Sequence, residues 1–334
     1  MVAYTGIQGQ NILIVSSDPA NPTEGQIWYN STSNLLKGYA NVVVTAAWAS
    51  APSLNTARWA IGNVGTQTAG LAFGGYGQDP VGSYPNTESF NGTSWTAVNT
   101  LSPGKRNMSQ TGTQTAALAT GSGTPNGAVQ QNNTQTWNGT SWTTGGNYPT
   151  NIQGASGAGT NTAALAAGGF ISPGAGSATA TNTYNGTSWT TVPANTNVAS
   201  SQWCGNGSQT AAIIFGAGPA GKSTETYNGT SWTSVSGTNS GHAEGGGAGD
   251  TASALAFGGY DPGQTTATEL WNGSTWTATA NMGTALGSMG ADGGTASAAF
   301  QAGGAANTSP AKSAVHQQFT GASVSLQTRT ITTS

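Results

Sequence analysis

The chain has 334 residues, 52 of them glycine and 11 tryptophan, and only 5% carry a charge, for a formal net charge of −3. Seven basic residues spread singly offer no basic stripe for nucleic acid, and no apolar run approaches the roughly 18 residues that a membrane-spanning helix needs. One cysteine and two histidines exclude a disulfide framework and leave almost no zinc chemistry.

In chain order, Met1-Val-Ala-Tyr4 has no basic start and no long apolar stretch, so no signal peptide is expected. Ser17–Gly25 is a Pro-rich turn segment. Gln26–Asn30 and Leu35–Tyr39, separated by Ser-Thr-Ser-Asn, read as a hairpin. Residues 1–41 therefore form a small β-hairpin module, and the remainder, 42–334, a second domain.

That remainder repeats one phrase five times: Phe90-Asn-Gly-Thr-Ser-Trp95, Trp137-Asn-Gly-Thr-Ser-Trp142, Tyr184-Asn-Gly-Thr-Ser-Trp189, Tyr227-Asn-Gly-Thr-Ser-Trp232 and Trp271-Asn-Gly-Ser-Thr-Trp276. The Trp-to-Trp steps are 47, 47, 43 and 44 residues, the period of a repeat architecture. Asn-Gly between aromatics predicts a hairpin with a type I′ turn, in which Asn takes positive φ. A second phrase runs in step, as in Gly65-Thr-Gln-Thr-Ala-Gly-Leu-Ala-Phe-Gly-Gly-Tyr76, and returns at 112, 159, 207, 249 and 294, making six copies. Each reads as a short strand of small residues, suited to sheets crowding near an axis. Four strand candidates per unit, six times over, is the arithmetic of a six-bladed β-propeller. Trp48 lies 47 residues before Trp95, so Val42–Trp48 is expected to be a fourth strand that pairs with the C-terminal strands and closes the ring. Val324, after Thr320-Gly321, reads as a worn copy of the repeat Trp.

The Gly-Gly after the second strand, the aromatic in the third and the Trp in the fourth resemble the kelch repeat. The resemblance covers roughly residues 42–330 and implies an all-β, six-bladed kelch-like propeller but no reaction. Kelch units often carry Arg after the Trp strand; Arg58 and Arg106 fit that position, with Gln153, Ser200 and His242 near it in later units. Asn-Gly-Ser-Thr-Trp276 also resembles the hairpin box of sialidase-type propellers. Separately, the stretch from Glu24 to Lys37 is similar to short modules in tailed-phage fibre and appendage proteins, particularly of marine phages. That resemblance implies that residues 1–41 dock onto other virion proteins or oligomerise while the propeller is displayed.

Few residues suit catalysis. Glycoside hydrolysis ordinarily needs two facing carboxylates. Glu88, Glu225 and Glu269 share one repeat position, which sets them on separate blades. A sialidase needs an arginine cluster, and Arg58, Arg106 and Arg329 are the only arginines. Cys204 has no motif context and reads as a structural thiol. Asn91, Asn138, Asn185, Asn228 and Asn272 form glycosylation sequons, but the turn explains them better. No enzyme activity, metal or cofactor is expected.

The loops after the second strands vary: Gly77–Asn86, Ser122–Asn133, Ile171–Thr181, Gly218–Thr224, Asp261–Thr268 and Ala305–Lys312. Varied loops on a rigid scaffold are where recognition concentrates; the plain alternative is solvated decoration. Arg58, Trp59, Tyr84, Arg106, Trp203 and His242 break the pattern near that face or an axial mouth and are the candidate binding residues. The expected function is a non-enzymatic phage appendage, tail fibre or decoration, binding a host surface or glycan. It would be a homo-oligomer located in the virion, with neither nucleic-acid binding nor membrane insertion. The alternatives are a structural virion protein that binds neighbouring subunits and a cellular kelch-type scaffold.

Overall fold

Residues 12–77, 82–123, 130–171, 176–201, 203–289, 293–306 and 312–331 are described by the computed structural model. Their regular structure is almost entirely β, as the Thr-, Ser- and Gly-rich composition predicts, and the chain divides into two compact units, Met1–Ala46 with Gly321–Ser334, and Ala47–Thr320. Among the described residues no helix is long and apolar enough to cross a membrane.

The first unit is one four-stranded sheet in the order Leu13–Val15, Ile27–Asn30, Leu35–Val44, Ser323–Thr330. The expected hairpin is present, Asn30 opposite Leu35. Asp18, in the Pro-rich turn, holds the sheet: it accepts from Trp28 Nε1 at 3.1 Å, Asn30 Nδ2 at 2.8 Å and Lys37 Nζ at 2.7 Å. Those bonds, Lys37 foremost, lower its pKa to about 2. The domain boundary differs from the expectation at 41/42, because Leu35–Val44 runs through it and pairs along its length with the C-terminal strand, Val43 opposite Val324. Val324 is therefore no stand-in for the repeat Trp, and Val42–Val44 belong to the first unit.

Among the described residues the second unit contains six four-stranded antiparallel groupings of one design. In the first, Gly62–Thr66, Ala69–Phe73, Thr87–Phe90 and Trp95–Val98 lie in sequence order. The six small-residue phrases are the second strands throughout: Ala69–Phe73, Ala116–Gly123, Ala164–Ala167, Ala212–Ala217, Ala254–Phe257 and Ala298–Ala302. In the second sheet three short strands extend the edge, so that it has seven. The sixth borrows its fourth strand from the other end of the chain: Ala47–Ala51 pairs with His316–Thr320, and Trp48 stands opposite Phe319 as Trp95 stands opposite Phe90. The first strands neighbour one another in the order one to six, and that of the sixth lies beside that of the first, with a bridge between Gly65 and Gly293.

The Asn-Gly loops differ from a type I′ turn. Gly92 has φ +93° but Asn91 keeps negative φ. The Asn91 side-chain oxygen instead accepts from Thr93 N and Ser94 N, both at 2.9 Å, and from Thr93 Oγ1 at 2.8 Å. A four-residue loop built on Asn is the result, repeated at Asn138, Asn185, Asn228 and Asn272. The Gly-Gly pairs serve close approach. A Cβ on Gly74 would lie 2.5 Å from the Lys105 carbonyl, and the Gly75 N–H bonds to that carbonyl at 2.8 Å.

Each fourth-strand Trp packs on the aromatic opposite it, ring centroids 5.0–5.5 Å apart, and reaches the preceding sheet with its indole N–H. The acceptor is the hydroxyl of the Thr that stands three residues before that sheet's aromatic. Trp142 donates to Thr87, Trp189 to Thr134, Trp232 to Thr181, Trp276 to Thr224 and Trp48 to Thr268, over 2.8–3.2 Å. The remaining step departs: Trp95 donates to Nδ1 of His316, at 3.3 Å, where the other sheets have Thr. Burial pushes the pKa of His316 down to about 4, partly opposed by the Pro52 carbonyl, 3.1 Å from the same Nδ1, so the ring is neutral, and Nδ1 accepts the indole N–H in the tautomer that carries its proton on Nε2 and leaves Pro52 unbonded.

Two outcomes follow from this stitching. Thr134→Val strands the buried indole N–H of Trp189 and is expected to cost about 1–3 kcal/mol in denaturant unfolding. His316 binds its proton more weakly folded than unfolded, so its contribution is full above pH 6.5 and lost as pH falls through about 4. Stability curves of the wild type and His316→Thr are expected to diverge across that window by roughly 3 kcal/mol, the Thr variant being flatter.

Candidate functional site

The segments leading into the six first strands converge on a cavity of about 70 Å³, which all six sheets line. Five of its lining residues hold left-handed backbone: Ala60 (φ +53°), Asn107 (+46°), Gly154 (+63°), Glu244 (+52°) and Ser288 (+45°). Four are not glycine, and each such conformation costs of order 1 kcal/mol. Hydrogen bonds between neighbouring segments impose it. Ala60 N donates to Ser288 O at 2.8 Å, Asn107 N to Ala60 O at 3.0 Å, Gly154 N to Asn107 O at 2.6 Å and Met289 N to Glu244 O at 3.2 Å.

Polar side chains also line this mouth. Ser288 donates its hydroxyl to the Glu244 carboxylate. Trp203, 6% exposed, and Ser156, 3% exposed, have Nε1 and Oγ with no partner among the described residues. A buried donor without a partner costs about 1–3 kcal/mol.

Beside the mouth stands a second cluster, next in sequence to Ala60 and Asn107. Trp59 meets Tyr76 edge to face with centroids 5.1 Å apart, and the Arg106 guanidinium lies 4.6 Å from the Tyr76 centroid. All three are half-buried. At the far ends of the first strands a further cavity, about 170 Å³, is lined mostly by glycines with Thr111 and Asn206. No family model matches this chain, and no curated protein matches it.

The structure sorts the six candidate residues into two kinds. Trp59 and Arg106 meet at Tyr76, and Trp203 lines the mouth. Arg58, Tyr84 and His242 are buried, as is Trp203 itself. Arg58 instead pairs with Glu88 at 2.5 Å, and His242 stands between the Gly258 carbonyl at 2.7 Å and Glu269 at 3.3 Å. Arg106 is not the counterpart of Arg58; Lys105 is. The carbonyls of Arg58 and Lys105 both receive the second Gly of a Gly-Gly pair, from Gly304 and Gly75. Lys105 is buried, donates to the Gly121 and Asn133 carbonyls and to Asn133 Oδ1, and burial pushes its pKa down to about 7.

The three repeat-position glutamates clamp loops. Glu88 accepts from the backbone N–H groups of Asn55 and Thr56, Glu225 from those of Asn197 and Val198, and Glu269 from those of Asn239 and Ser240. Burial pushes the Glu269 pKa up, but bonds from His242, Asn239 and Ser240 outweigh it and hold it at about 2. Gln135 and Gln317 fill the same role in the second and sixth sheets.

Among the lining residues of the mouth the one acid is Glu244. No group of three or more His, Cys, Asp or Glu among the described residues could hold a metal ion. Of the variable loops, 218–224 and 261–268 lie within the described residues. Residues 78–81, 124–129, 172–175 and 307–311, with Asp79, and also Asp292, lie outside them.

Sequence reasoning missed Tyr76, Ser156 and the left-handed positions. Tyr76 was visible as the residue after Gly-Gly. The left-handed positions carry no common residue type to find them by. Glu88→Gln, which leaves the Arg58 guanidinium buried without a countercharge, is expected to cost about 3–5 kcal/mol in chemical denaturation.

Proposed function

We propose that the six sheets are the blades of a six-bladed kelch-like β-propeller, and that the protein is a non-enzymatic phage appendage, a tail fibre or decoration, whose propeller attaches to a host surface. The observation that carries the binding reading is the mouth, a cavity to which the segments entering all six first strands contribute, lined by polar residues that include Asn107, Gln110, Ser156, Glu244 and Ser288. The cyclic order of the first strands and the Trp hand-over from sheet to sheet support the propeller. A single lining acid supports recognition over glycoside hydrolysis, which ordinarily uses two.

The appendage reading rests on the resemblance of the stretch from Glu24 to Lys37 to phage modules. It gains support from the first unit itself. Among its described residues Trp28 is the one buried large apolar side chain, while Ile12, Leu13, Ile14, Val43 and Val324 are exposed. So small a core leaves little to offset chain entropy, and a docking or oligomerising unit hides such residues against other subunits. The same exposure favours, as a second reading, a structural virion protein that binds its neighbours.

Gold-labelled antibody against the full chain, imaged on phage particles from the same source, tests the reading. Label at fibre tips is the expected outcome. Label spread over the head or tail tube favours the structural reading, and no label on any particle overturns the virion assignment.

A further inference from the structure

We propose that Ser323–Thr330, the C-terminal strand of the first unit, pairs edge to edge and antiparallel with the same strand of a second copy of this chain, joining the two sheets into one. The inference rests on the reading of the first unit as a docking or oligomerising module and names its partner.

The strand lies at one end of the four-stranded sheet, and among the described residues it pairs with Leu35–Val44 and with no other strand. The direction of its backbone groups follows from the ladder. Ile331 N donates to Leu36 O at 2.8 Å, while Tyr39 on the same central strand turns the other way, donating to Gln26 O and accepting from Gly25 N. Hydrogen-bonded and non-bonded pairs alternate in an antiparallel ladder. Thr330 stands opposite Lys37, and the register does not slip. Ser325, Gln327 and Arg329 therefore bond inward, and Val324, Leu326, Thr328 and Thr330 aim N–H and C=O at the open edge.

Such an edge is ordinarily blunted by short length, proline, a bulge or charge. The opposite edge, Leu13–Val15, has three residues. Ser323–Thr330 has eight, without proline or bulge and with Arg329 as its one charge. Val324 is 63% exposed, Leu326 39% and Val43, opposite Val324, 67%. A long open edge that carries apolar side chains recruits another strand.

The strand's own sequence selects a second copy. About a twofold axis at Gln327, Leu326 stands opposite Thr328 of the second copy and Val324 opposite its Thr330. Every outward N–H and C=O then meets a partner. Any other twofold register carries at least one outward residue beyond the end of the partner strand. At this axis Arg329 faces Ser325 and not another arginine, Gln327 faces Gln327, and the two Leu326 side chains are diagonal neighbours. A twofold pairing of this kind closes at two copies.

Sedimentation velocity of the full chain at micromolar concentration is expected to give twice the monomer mass. Leu326→Pro deletes an outward N–H in each copy and keeps the ladder to Leu35–Val44. It should weaken dimerisation at least about tenfold with an unchanged melting curve. Gln327→Cys stands against itself across the axis and should close a disulfide-linked dimer under mild oxidation, whereas Thr330→Cys, which meets Val324, should not. The native Cys204 is buried and does not interfere. A monomer or a trimer overturns the inference, as does a dimer whose Gln327→Cys variant fails to cross-link. If Leu326→Pro melts early, the cysteine variants alone decide. A monomer that still labels phage particles sinks the self-pairing and leaves the appendage reading standing. A cross-linked dimer absent from every particle sinks the virion assignment and leaves the pairing.

Discussion

The indole N–H that each outer tryptophan hands to the preceding sheet is the interaction on which the second unit depends. The first strands are rich in Gly and other small residues, with Val64 their one large aliphatic side chain, and interlock little by themselves. Tryptophan solves this from the outside: its ring buries against the aromatic opposite, and its one donor reaches a buried Thr of the neighbour. Dispersion supplies the bulk of the energy, and the hydrogen bond sets the spacing between sheets. Gln67, Gln114 and Gln209 add a second tie, each donating its side-chain amide to backbone carbonyls of the adjoining sheet.

With the sheets held, the segments between them can be used. A buried Glu or Gln on a third strand takes the backbone donors of the passing loop, and the chain then turns inward. The clamp occupies the repeated glutamates: their lone pairs are engaged by loop N–H groups and, in two sheets, by Arg58 or His242. Beyond the clamp, neighbouring segments bond carbonyl to amide around the mouth and force Ala60, Glu244 and Ser288 into a conformation that none of these residues favours. Strain of this kind persists where the surroundings over-determine it, and here it brings side chains from all six sheets to one place.

The two units solve opposite problems. The second buries its aromatics thoroughly and needs few charges, since its polar groups are spent on ties between sheets. The first shows large apolar side chains to solvent and is organised by one carboxylate, Asp18, rather than by a core. A surface so poor in charge and a sheet so thinly packed are consistent with a chain that works among other subunits.

Much of the fold could be read directly from the residues. The 43–47-residue period, the six small-residue strands, the aromatic–Trp hairpins and the hairpin after Gln26 all depend on pairings between residues close in sequence, where spacing alone reports the partner. The sequence also pointed to Trp59, Arg106 and Trp203 as residues that break the repeat. What it could not decide depends on partners far along the chain. The 47-residue spacing did mark Trp48 as a fourth-strand residue beside the C-terminal strands, but not its bond to Thr268, 220 residues away, nor that of Trp95 to His316 across 221. Val324, which by spacing looked like the missing Trp, pairs instead with Val43. The Asn-Gly turn took another form because the Asn side chain, not its φ, organises the loop. The mouth itself is set by backbone hydrogen bonds between sheets, which act on whatever residue stands there and so leave no common letter in the sequence.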